Sequence, residues 1–163
     1  MRIKRERGQA LIEFGLVVPA MLVLLLGMID FGRAFVFGVA TQEGTRQASR
    51  LAASANYDIN VDDSAVLGRL VAASAPALVG CAAGTTANQS CNGGSWTFTV
   101  CVSNAGGSCT TIASARAANT LPGSKVTVTA AGSVSLLPGF DTGAFGLHLA
   151  QITVQGQSAM EIL

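Results

Sequence analysis

The sequence predicts an α+β protein: a long N-terminal helix that starts in a membrane, then a small domain in which a short helix packs on an antiparallel sheet. Three observations carry this. Ala10 to Ile29 is apolar apart from Glu13, and a bilayer-spanning helix needs about 20 such residues. Val66, Leu67, Leu70 and Val71 recur at helical spacing. From Trp96 the period changes to two. Trp96, Phe98, Val100 and Val102 alternate with Thr97, Thr99, Cys101 and Ser103, the pattern of a half-buried strand.

The N-terminus comes first. Arg2, Lys4, Arg5 and Arg7, with Glu6 among them, precede Gly8. Excess Lys and Arg marks the cytoplasmic side of a span, so the rest of the chain is expected outside the cytoplasm. No charge occurs from Phe14 to Ile29. Glu13 is the exception in the span, and an ionisable group there is a functional candidate by default. Its bland alternative is a carboxylate solvated among the headgroups.

A glycine, four residues, then Glu-Phe, opening an apolar helix behind a short basic leader, resembles the processing site of type IV pilins. The leader and the Glu13-Phe14 pair look most like the Flp (tight-adherence) branch. The length and the TQEGTRQASRLAA stretch after Ala40 resemble its TadE-like minor pseudopilins. That resemblance implies a prepilin peptidase cutting between Gly8 and Gln9, and subunit registration by Glu13. It also implies a pilin-like fold without catalytic residues, metal or cofactor. The partners it implies are the lipid bilayer, the peptidase, a major pilin, a second minor pseudopilin and the platform proteins of the pilus machine. The setting is a bacterial inner membrane, with an outer domain that caps or primes the fibre. Cleavage would give Gln9 a free amine, whose ordinary pKa is about 7.7–8.0. Gln9 and Glu13 are one helical turn apart, and an unpaired charge in a bilayer is heavily penalised.

The domains expected are a leader at 1–8, a long helix at 9–55 with its span at about 10–29, and an outer domain at 56–163. Pro19 removes one hydrogen bond inside the helix. Beyond the span the helix is expected to continue through residues 30–55. Phe31, Phe35, Phe37 and Val39 supply an apolar side, and Asp30–Arg33 and Glu43–Arg46 are i, i+3 pairs. Gly32, Gly38 and Gly44 weaken it, which leaves room for a break near Gly44. Asp62 or Asp63 caps the second helix, which Pro76 and Gly80 end. Further strands are expected over 125–136 and from Ile152 to Glu161, with turns at Pro122-Gly123 and Pro138-Gly139.

Composition restricts the function classes. From Ala55 onward the charged residues are Asp58, Asp62, Asp63, Arg69, Arg116, Lys125, Asp141 and Glu161, a sparse set that suits an extracytoplasmic or packed setting. The whole chain carries +1, and loss of residues 1–8 would leave −2. No basic patch lies outside the leader, so nucleic-acid binding has no electrostatic support. No G-x-S-x-G, H-E-x-x-H or P-loop is present, and His148 has no evident catalytic partner. Cys81, Cys91, Cys101 and Cys109 are spaced by ten, ten and eight positions. Zinc ligands come as closer pairs, so disulfides are expected, with three pairings open. Cys81–Cys91 and Cys101–Cys109 are favoured because each closes a local glycine-containing loop. The reading from another class is an uncleaved single-span protein whose outer domain binds a surface ligand or adheres.

Overall fold

The computed structural model describes residues 6–75, 77–82, 89–91, 94–104, 107–135 and 151–163. The basic residues at 2–5, Pro76, Leu136, Pro138-Gly139, Asp141 and His148 lie outside the described residues. The element order is α1 (Glu6–Ala53), α2 (Asp63–Ala73), β1 (Gln89–Cys91), β2 (Gly94–Ser103), β3 (Cys109–Thr110), α3 (Ile112–Ala117), β4 (Lys125–Ser135) and β5 (Gln151–Glu161). The chain forms two compact units, Met1–Arg33 and Ala34–Leu163. The class is α+β.

In the first unit, α1 is apolar on all sides, and nearly every side chain from Gln9 to Ile29 is exposed. A helix with no polar face is built for a membrane or a protein interior. The most apolar window of this helix has a mean hydropathy of 2.4. The helix continues through Pro19. At the end of the apolar run, Arg33 Nη1 lies 3.9 Å from Asp30 Oδ1.

In the second unit, the remainder of α1 lies on the sheet. Its buried row is Phe37, Thr41, Gly44, Thr45, Ala48, Ser49 and Ala52, a stripe that returns every three or four residues and is small except for Phe37. The buried hydroxyls are satisfied within the helix: Thr41 donates to the Phe37 carbonyl at 2.7 Å, Thr45 to Gln42 at 2.9 Å and Ser49 to Arg46 at 2.9 Å. Such back-bonding lets polar residues face a core. The helix runs unbroken through Gly44. Glycine suits that position because the α2 end comes so close: a Cβ there would stand 1.8 Å from Ser74 Oγ. Phe37 does not share a face with Phe35 and Val39. Phe37 is buried, whereas those two are exposed. Glu43 accepts from Gln47 Nε2 at 3.2 Å rather than pairing with Arg46.

The sheet is antiparallel, in the order β1-β2-β4-β5, with β3 also paired to β2. Its inner face carries Trp96, Phe98, Val100 and Val102 from β2, Val126, Val128 and Val134 from β4, and Val154 from β5. Trp96 stands opposite Gly132. A Cβ on Gly132 would meet the indole at 2.2 Å, so the ring occupies the space a side chain would take. Val66, Leu67 and Leu70 of α2 and Ile112 and Ala115 of α3 complete the core. Asp62 caps α2, accepting from the Ala65 N–H at 2.8 Å. The Pro122-Gly123 turn closes with the Ser124 N–H on the Leu121 carbonyl at 3.0 Å. Gly123 sits at φ 74°, as the third position of a type II turn requires.

The contact of α1 with β5 leaves no room for a larger residue. A Cβ on Gly156 would lie 2.7 Å from the Thr41 carbonyl oxygen, and backbone cannot step aside as a side chain can. Gly156→Ala is therefore expected to destabilise the domain by about 1–3 kcal/mol. Thermal unfolding of the detergent-solubilised chain measures this, with the exposed Gly107 changed to Asn as a control that should leave the midpoint unchanged.

Candidate functional site

The motif residues lie at the start of α1. Gly8 and Gln9 are the third and fourth residues of the helix as it begins at Glu6. Gln9, Glu13 and Phe14 are all exposed. Gln9 and Glu13 are one turn apart and therefore neighbours on the helix surface. After a cut the new amine and the Glu13 carboxylate would share the helix N-terminus, where a carboxylate is favoured by the backbone dipole.

In the second unit the polar groups are spent on holding loops. Arg116 of α3 donates Nη2 to the carbonyls of Ala55 at 2.8 Å, Asp58 at 3.2 Å and Val61 at 2.8 Å, and Nη1 to Ile59 at 3.2 Å. One guanidinium thus ties down the turn that follows α1. No local pattern marks this role, because the carbonyls it satisfies are backbone groups more than 50 positions away. Asp63 accepts from the Ile112 N–H at 2.9 Å, joining α2 to α3. Cys81 is bonded to Cys91 and Cys101 to Cys109. Among the described residues no group of three or more His, Cys, Asp and Glu could hold a metal.

Asp62 and Asp63 carry opposite pH signatures. The Ser64 hydroxyl and then the Ala65 N–H hold the Asp62 carboxyl below its ordinary range. The stability this adds is present above the unfolded value of 3.8 and is lost as pH falls through the lowered folded value. Burial pushes the Asp63 carboxyl up, against the Ile112 N–H bond, and the Asp62 charge adds to the rise. Its penalty is absent in acid and sets in as pH rises through the raised folded value. Asp62→Ala should cost about 1 kcal/mol at neutral pH, the usual worth of a helix cap, and less in acid. Asp63→Asn keeps an acceptor for Ile112 and should raise the unfolding midpoint at neutral pH but not below pH 3.8. Thermal melts across pH check both signs.

The N-terminal helix fits a single-pass membrane anchor, and the described residues beyond it form a disulfide-bonded α+β domain. The family comparison is more specific. Residues 8–50 match the family model described as TadE-like protein, so this segment of the chain is similar to TadE-like proteins. Residues 51–163 lie outside the match. No curated protein and no solved structure matches the chain.

Proposed function

We propose that this chain is a pseudopilin of an Flp-type pilus, processed by a prepilin peptidase after Gly8 and used in pilus assembly. The observation that carries this is the match that begins at Gly8 and runs through the whole apolar helix to Arg50, together with Glu13 at the fifth position after that glycine. On this reading the protein acts structurally. Its helix is held in or drawn from the inner membrane, with the N-terminus cytoplasmic and the α+β domain outside. The Gln9 amine and the Glu13 carboxylate neutralise each other within or between subunits, which removes the penalty for charge in the bilayer. Its partners are the peptidase, the major pilin, a second minor pseudopilin and the platform proteins.

The mass of the mature N-terminus tests the first step. A start at Gln9, abolished by Gly8→Leu, is the expected result. An intact Met1 start in cells with an active peptidase would favour the uncleaved anchor whose outer domain binds a ligand. Glu13→Ala tests the second step. The variant should remain in the membrane fraction while piliation falls by at least about tenfold, the equivalent of 1.4 kcal/mol. Normal piliation would remove Glu13 from the registration role.

A further inference from the structure

A cut after Gly8 would leave Gln9 with two groups that react with each other. Its new α-amine is a nucleophile, and its own side chain ends in an amide. The amine nitrogen reaches the amide carbon Cδ by closing a ring of proline's size. Groups joined in this way react as if at very high concentration, up to about 10⁵–10⁸ M for well-oriented pairs. The Gln9 side chain is exposed, as are Ala10 and Leu11 after it, so nothing packed against the helix start bars the ring.

Charge near this amine is scarce. From Gln9 to Ile29 the one charged side chain is Glu13. It lies one turn along the helix on the same face and is likewise exposed. The amine attacks only through its free lone pair. With an ordinary pKa of about 7.7–8.0, a minor share of such amines carries that lone pair near neutrality. An ammonium bonded to the Glu13 carboxylate has none to offer. The residue that neutralises the amine thus also keeps it from its own amide.

We infer that Gln9, once it is the mature N-terminus, closes to pyroglutamate, and that Glu13 restrains the closure by pairing with the amine. The inference rests on the proposed processing after Gly8. The step balances within the residue. A bond forms between the Gln9 amine nitrogen and Cδ, the Cδ–Nε2 bond breaks, and the leaving nitrogen departs as ammonia with one amine hydrogen. Nothing is oxidised or reduced. The closed form has lost the positive charge that the pairing needs, and a lone carboxylate in the bilayer is costly. Closure therefore limits how long a processed chain stays fit to pair.

The test follows the full chain in its native membrane by pulse-chase, with mass spectrometry of the N-terminal peptide. Wild type, Glu13→Gln and Gln9→Glu are compared. A heavy-isotope peptide with a linear N-terminal Gln, added at lysis, reports closure during handling. The expected result is a peptide that starts at Gln9 and is lighter by one ammonia, in a share that grows through the chase. Glu13→Gln should speed that growth roughly two- to fivefold, the weight of an exposed charge pair. Glu13→Asp, which shortens the carboxylate's reach, gives the same comparison if the amide variant is not cut. Gln9→Glu should stay linear over the same chase, because it has no ammonia to expel. The inference is overturned by a Gln9 start whose amide stays intact throughout, by a blocked amine that retains the amide, or by rates indifferent to Glu13. A Met1 start is a different failure: it removes the processing reading, and the inference with it.

Discussion

The domain depends on how closely the second half of α1 lies against β5 and the end of α2. Thr41, Gly44, Thr45, Ala48, Ser49 and Ala52 face inward, and none brings more than one methyl and one hydroxyl beyond Cβ. A contact built from such residues buries little apolar area per residue. It gains instead from dense packing of backbone on backbone, where many short dispersion contacts add up. It is also unforgiving. The Thr41 carbonyl against Gly156 and Ser74 against Gly44 are spaces that one methyl group would fill. The hydroxyls this row buries are already bonded to their own helix, so the close approach leaves them no unmet demand.

The same helix explains why the rest of the domain needs other means of support. With few charges and a narrow helix–sheet contact, the turn after α1 is held by the four carbonyls that converge on Arg116. The two disulfides close short loops at β1 and β3. In the chain-entropy view each loop closure is worth about 2–3 kcal/mol, comparable to the hydrogen bonds to a charged group that Arg116 supplies. Stability is therefore spread along the periphery of the sheet, while the centre rests on Trp96, Phe98 and the valines of β4.

Much of this was legible in the sequence. The apolar run, the cap at Asp62, the strands beginning at Trp96 and Lys125, the last strand and the Pro122-Gly123 turn are local signals, each written within a few residues. What escaped reading is non-local. β1 and β3 are three and two residues long, too short for a period to register, and α3 is a single six-residue turn-and-a-half. Gly44 reads as a helix breaker in isolation, because propensity does not know that Ser74 will lie against it. Phe37 groups with Phe35 and Val39 by apolarity alone. Two positions along a helix is a rotation of about 200°, which puts it on the opposite side. At the N-terminus, Gly8, Gln9, Glu13 and Phe14 were legible as a motif, but a motif carries chemistry only through a partner that the chain itself does not contain.

That asymmetry bears on what the helix does within the domain. The inward row of α1 is filled by its own sheet and α2, and a residue of almost any larger size is excluded there. The flank next to it carries Phe35 and Val39, whose exposure brings the domain no stability, beside β5, the last strand of the sheet, where Gln42 donates to the Gln157 carbonyl. An apolar flank and an unpaired strand edge each carry a solubility cost when left in water. Here both fall on one side, connected through Gln42. A domain that spends its scarce charges on caps and loops leaves Phe35 and Val39 exposed on this side, with Gln42, Glu43 and Arg46 following them along the same groove.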